Sequence, residues 1–294
     1  MKSFEQLSWR DYFTDKKSVT LEDRGGMTFN MYTAGVAGDN RPLLFCIHGG
    51  GYTGLTWALL AKKLSDKYSI AALDLRSHGE STSSEDFSIE EMTKDVTCVW
   101  QRCFGESKPK TVLLGHSLGG AIAIQASSLE QIPSLAATIV IDVVEGTALQ
   151  SLPYMQQVIN KRPKSFTSVE DFVNYAYTTG LTKNFEAARV SAASQVKGDK
   201  PENPSSFVWV TDLTKTAPYW NSWYKGMSSK FLKVPVPKLL LLAGTDRLDK
   251  ELTIGQMQGK FQMKVLPAGH AIHEDEPEKT SNCVADFLSR FQIS

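Results

Sequence analysis

Thr111-Val112-Leu113-Leu114 is an apolar, β-branched-leaning run of the kind that forms a buried strand, and Gly120-Ala121-Ile122-Ala123-Ile124-Gln125-Ala126 reads as a helix. Between them stand only Gly115-His116-Ser117-Leu118-Gly119, with the form G-x-S-x-G. A strand that becomes a helix across so short a turn constrains the fold more than any other feature of the chain. The two backbones must cross closely, which Gly115 and Gly119 permit, and the turn forces Ser117 into a strained conformation that projects its hydroxyl. The helix N-terminus behind the serine supplies unpaired N–H groups and a positive dipole end for a developing oxyanion. The pentapeptide alone reads equally well as a glycine-rich surface turn. Its flanks make it a nucleophile elbow.

The rest of the chain repeats strand and helix in alternation, which implies a mostly parallel sheet with helices on both faces. Met27–Ala34 reads as an early strand of an antiparallel edge, Leu55–Leu64 as a helix, and Ser88 as the N-cap of a helix to about Phe104, with Glu91 completing a capping box. Between Gly146 and about Lys233 the alternation fails. Helical patterns at Ser168–Thr178 and Asn184–Val196 and a Pro/Gly/Ser-containing loop at Lys197–Ser206 lead into an aromatic cluster of Phe207, Trp209, Tyr219, Trp220, Trp223 and Tyr224. The expected organisation is one α/β domain over 1–294 with a mainly helical cap inserted at 147–233. Pro277–Phe291 is the expected closing helix.

A serine nucleophile needs oxyanion donors, a base and an acid. Pro42–Ile47 is a buried-strand run ending in His48-Gly49-Gly50-Gly51, the H-G-G-G pattern whose backbone contributes an oxyanion N–H. The expected donors are Leu118 N–H and one from Gly50 or Gly51. Of the five histidines, His48 and His116 lie in the two motifs, and His78 reads as a structural loop histidine. A base late in the chain leaves His270, at the end of Val265-Leu266-Pro267-Ala268-Gly269-His270, ahead of His273. Two strands end in an aspartate, Thr138–Asp142 and Leu239–Asp246. Either carboxylate could orient the imidazole, and pattern alone favours Asp246.

Composition bounds the function classes. The 294 residues carry 32 acidic and 32 basic side chains, so the net charge is zero, which argues against nucleic acid or an anionic membrane as the main partner. Cys46, Cys98, Cys103 and Cys283 have no zinc-site spacing, and reduced, mostly buried thiols are the default. No metal or cofactor is implied. Met1–Phe13 has no apolar signal core, and no run reaches the ~18–20 apolar residues of a membrane span. Cytoplasm and nucleus are the expected compartments.

Several segments are more specific than the general pattern: His48-Gly-Gly-Gly, Leu73-Asp-Leu-Arg-Ser-His-Gly-Glu80, Gly115-His-Ser-Leu-Gly-Gly120, Ile141-Asp-Val-Val-Glu-Gly-Thr-Ala148, Leu252-Thr-Ile-Gly-Gln-Met-Gln-Gly-Lys-Phe-Gln-Met263 and Gly269-His-Ala-Ile-His-Glu-Asp275. Together they resemble the protein phosphatase methylesterases, a family of α/β-hydrolase fold, from about Trp9 to Phe291. The resemblance implies a serine carboxylesterase that removes the methyl ester from the C-terminal leucine of the type 2A protein phosphatase catalytic subunit, which is then its partner. It implies Ser117 as nucleophile, His270 as base and Asp142, against the pattern-based preference, as acid. Animal members carry a long acidic insertion. Here the loop near Lys197–Ser206 is short and not acidic. A small-molecule esterase or lipase, and a non-catalytic binder on the same scaffold, are the rival readings. The aromatic segment and the Arg76 loop are the surfaces expected near the cleft entrance.

Overall fold

The chain is described in a computed structural model over residues 3–35, 41–244 and 248–293. Its first half runs β1 (Asp15–Leu21), β2 (Met27–Ala34), β3 (Leu43–Ile47), α1 (Ala58–Leu64), β4 (Ser69–Leu73), α2 (Ile89–Phe104), β5 (Thr111–His116), α3 (Leu118–Ser128) and β6 (Leu135–Ile141). There follow α4 (Glu145–Lys161), β7 (Ser165–Phe166), α5 (Val169–Thr178), α6 (Phe185–Val190), β8 (Val196–Gly198), β9 (Phe207–Trp209), α7 (Trp220–Tyr224) and α8 (Met227–Lys233). The chain closes with β10 (Lys238–Ala243), α9 (Lys250–Met257), β11 (Gln262–Leu266), α10 (Ile272–Asp275) and α11 (Pro277–Arg290).

The main sheet has the order β1-β2-β4-β3-β5-β6-β10-β11. β1 and β2 pair antiparallel, β2 is antiparallel to β4, and every other neighbouring pair is parallel. The central strands β3 and β5 are buried at every position, because helices cover both faces. Side chains alternate between the faces with period two. Phe45, Ile47 and Leu113 pack with Met92, Val96 and Trp100 of α2 and Ile122 of α3, whereas Leu44, Cys46 and Leu114 pack with Leu60 of α1 and Val284 and Phe287 of α11. The strand order reverses at β3, with β4 on one side and β5 on the other. That is a topological switch point, where a crevice opens at the carboxyl ends of the strands. The glycine loop leaves β3 and the elbow leaves β5, so both motifs meet there.

Two local expectations are corrected. Ser88 does cap α2, accepting from Glu91 N–H at 3.4 Å, but the capping box is only half made. Ser88 N–H goes to Asp86 at 2.8 Å, and the Glu91 carboxylate turns away to Arg24 at 2.5 Å, an ionic partner stronger than a backbone amide. Arg76 is not at the cleft entrance: it is buried and its Nε donates to the equally buried Asp95 at 2.5 Å. Of the four thiols Cys46 is buried and the others are half-buried, and all four are free.

Candidate active site

Ser117 stands between β5 and α3 at φ 52°, ψ −118°. A residue other than glycine adopts positive φ at a cost of about 1–3 kcal/mol and only where its surroundings impose it. Here Ser117 N–H is tied to Ile141 O on β6 at 2.9 Å while its carbonyl accepts from Gly120 N–H at 2.8 Å. Glycine is required on both sides. A Cβ at Gly115 would run into the Gly119 backbone, and one at Gly119 into the carbonyls of Ile47 and His48. Leu118 opens α3, so its N–H has no partner inside the helix.

The glycine loop after β3 is held by two neutral imidazoles. His48 Nε2 accepts from Leu75 N–H at 3.0 Å, and its Nδ1 is 2.8 Å from Gly49 O. His78 Nε2 accepts from Gly51 N–H at 2.9 Å, and its Nδ1 is 2.8 Å from Arg76 O. Each pattern fixes the proton on Nδ1. Burial pushes His78 down to about 4 and His48 well below the usual histidine range, where the nearby His78 adds to the effect. Asp74 anchors the same region, accepting from Gly54 N–H at 2.6 Å and Asn30 at 2.7 Å, and burial raises its carboxyl to about 6. Of the two glycines expected to supply an oxyanion donor, Gly51 is thus committed to His78. No described residue accepts from Gly50 N–H, which lines the cleft with Leu118.

The histidines separate by environment. His273 is buried, stacked on Trp57 with ring centroids 4.2 Å apart, bonded through Nε2 to Thr56 at 2.8 Å and pushed down to about 3 by burial. It does not line the cleft. His270 has a side chain 52% exposed, and its Nδ1 lies 2.7 Å from Asp142 Oδ2. The other Asp142 oxygen accepts from Ala243 N–H at 2.7 Å. Asp142, like Ser117, sits at positive φ, 54°, with its own N–H bonded to Leu241 O at 2.8 Å. The loop bearing His270 is clamped twice: His116 Nε2 meets His270 O at 2.9 Å, and Asp275 accepts from Gly269 N–H at 2.7 Å. Asp246, the alternative acid, lies outside the described residues.

Ser117, Asp142 and His270 line one cleft of about 570 Å³ with Gly50 and Leu118, and α4 and α7 form much of its wall. No hydrogen bond joins the Ser117 hydroxyl to the His270 ring. The serine instead lies beside Tyr224, whose phenol burial pushes up to about 12, partly offset by that hydroxyl. Of the aromatic cluster, Trp220, Trp223 and Tyr224 reach the cleft; Trp209 packs on Phe166 and Phe172. Two residues that sequence reasoning missed also line the cleft: Tyr52, immediately after the glycine loop, and Arg162, just past α4. Tyr52 adjoins a motif and was findable on that ground; Arg162 lies in a segment with no pattern to mark it. Among the described residues no group of three or more His, Cys, Asp or Glu is arranged to hold a metal, and no helix is long and apolar enough to cross a membrane.

An elbow serine, a carboxylate-bound late histidine and a glycine loop at the switch point of a parallel sheet define an α/β hydrolase. The model of the alpha/beta hydrolase family matches residues 44–282. The solved structure of E-2-(acetamidomethylene)succinate hydrolase superimposes with a TM-score of 0.76, covering 94% of this chain and all of that one at 20% identity. A thioesterase domain from the curacin biosynthetic pathway does so with a TM-score of 0.70, covering 92% and 98% at 19% identity. These likenesses establish the fold. The relation to protein phosphatase methylesterase 1 is far closer. This chain is 41% identical to the rat protein over all of its own length and 87% of the relative's, and 42% identical to that of Schizosaccharomyces pombe over 98% and 86%. The Caenorhabditis elegans protein described as a probable protein phosphatase methylesterase 1 is 42% identical, covering 100% of this chain and 80% of the relative. The chain belongs to the protein phosphatase methylesterase 1 family. The rat alignment needs 338 positions and the nematode one 299, so the rat protein carries residues with no counterpart in these 294.

Proposed function

We propose that this chain demethylates the C-terminal leucine methyl ester of a type 2A protein phosphatase catalytic subunit through a Ser117–His270–Asp142 triad. The 2.7 Å contact of His270 Nδ1 with Asp142 carries the reading, because it fixes the Nδ1 proton and leaves Nε2 as the base. Ser117 Oγ attacks the ester carbonyl as Nε2 takes its proton. The tetrahedral oxyanion receives the N–H groups of Leu118 and Gly50. Nε2 then returns the proton to the departing methoxide, releasing methanol. Water, deprotonated by the same nitrogen, attacks the acyl-enzyme and frees Ser117 and a carboxylate. A serine that is not yet bonded to its base suits such an enzyme, since these bonds often tighten only with substrate bound. Residues 147–233 act as the cap that receives the tail.

Methylated phosphatase incubated with the enzyme should lose its methyl group as methanol, and Ser117→Ala should lower turnover by several orders of magnitude with the fold intact. Rapid hydrolysis of free acyl esters with none on methylated phosphatase points instead to a small-molecule esterase. Tight phosphatase binding with no turnover of any ester points to a binder.

A further inference from the structure

Arg162 stands out among the described cations of this chain. The other sequestered ones are satisfied: Arg24 and Arg76 both pair with Asp95, and Lys238 donates to the carbonyls of Val234 and Val236. Arg162 is half-buried and lines the cleft with Ser117, yet among the described residues no carboxylate pairs with it and no oxygen accepts from its guanidinium. Its nitrogens are not sealed away either, and the residue lines the cleft. The group is held all the same. It lies 4.7 Å over the ring of Trp209. Trp209 is fixed in turn by its N–H bond to Pro163 O at 2.8 Å and by edge contacts with Phe166 and Phe172. A guanidinium held over an aromatic ring, with its donors unspent and burial working against its charge, is preorganised for an oxyanion.

Its position selects which oxyanion. A Cβ built on Gly51 would stand 3.7 Å from Arg162 Nη1. Gly51 adjoins Gly50, beside which the attacked carbonyl sits, and neighbouring Cα atoms are about 3.8 Å apart. The guanidinium therefore lies no more than about three extended residues from the ester at ~3.3–3.6 Å each. Tyr154 and Val158 precede Arg162 at four-residue steps on α4, with 68% and 58% exposure. This makes a stripe that could support an extended tail.

We propose that Arg162 is a specificity-determining residue that binds the side-chain carboxylate of an acidic residue one to three positions before the esterified leucine of the substrate tail. The inference rests on the esterase reading above and adds to it a rule for which tails are taken. The bidentate pair forms only with an acidic tail, so it selects among esterified proteins.

The test uses hexapeptide leucine methyl esters with one aspartate at the first, second or third position before the leucine, each against its asparagine twin. For the intact chain, kcat/KM should favour aspartate about tenfold or more at one of the three positions. Arg162→Met should bring that ratio to about one. Arg162→Lys, which keeps the charge but loses the fork, should give an intermediate ratio. The ratio is internal to each protein, so a general loss of activity cancels. The same peptides are titrated against Ser117→Ala protein with and without Arg162→Met, which reads binding whether or not the ester is cleaved. Failure of cleavage with the binding preference intact would therefore count against the esterase reading alone. Equal handling of aspartate and asparagine at all three positions, or a preference that survives Arg162→Met, overturns the proposal.

Discussion

Asp142→Asn tests the triad at the one bond the structure defines best. The substitution changes no shape. Asparagine tolerates the positive φ of 54° at least as well as aspartate, and its oxygen still accepts from Ala243 N–H, now 2.7 Å from Oδ1. The stability change should stay within about 1 kcal/mol. The consequence lies at the other oxygen. With the amide oxygen held by Ala243, the NH₂ group faces His270 Nδ1 across the present 2.7 Å. Two donors cannot share that gap, so Nδ1 must become the acceptor and the ring proton moves to Nε2. Nε2 is then unable to take the proton of Ser117. The same change in a serine protease costs about 10⁴ in kcat, or about 5 kcal/mol of transition-state stabilisation. The assay is methyl release from methylated phosphatase, with the rate of Ser117 labelling by a fluorophosphonate and the melting temperature alongside. Asp246→Asn is the paired control and should cost much less. Turnover by Asp142→Asn within tenfold of the parent, or a full loss confined to Asp246→Asn, refutes the assignment of the acid.

Gly119→Ala should separate α3 from the carbonyls of Ile47 and His48 by up to about 1 Å, and a misplacement of that size costs about 10² in rate; parental activity at an unchanged melting temperature would show that the crossing is not tight. Glu274 is buried, accepts from Thr56 and Ser191, and has its carboxyl raised to about 7 by burial, above an ordinary value of 4.5. Its contribution is complete below pH 4.5 and is lost as pH rises to 7, by up to about 3 kcal/mol. Glu274→Gln removes that titration, so its stability relative to the parent should climb between pH 4.5 and 7 in denaturant melts; a flat difference across the window contradicts the assigned burial effect.

The site gathers at β3 and β5 because the sheet changes direction there, which brings a loop near residue 50 beside an elbow near residue 117. Local chemistry dictated much of this in the sequence. Strands buried on both faces must read as apolar runs, a strand-to-helix crossing must read as glycine, serine, glycine, and a base on the far loop must follow a strand late in the chain. Weak or short elements were not legible. β1 is polar because one side of an edge strand meets water, and β7, β8 and β9 are too short to show a period. The sequence already favours His270 over His273, but the reason they differ is tertiary: only three residues separate them, yet one ring meets a carboxylate in the cleft and the other is stacked on Trp57. For the acid, strand pattern alone favours Asp246 and the family resemblance points to Asp142; the contact of Asp142 with His270 is a matter of packing. The fate of Gly51 N–H and the unpaired state of Arg162 belong to the same class. A residue type announces which bonds it is able to make, but which groups arrive within hydrogen-bond distance, and which are left without a partner, is settled only when distant segments pack together.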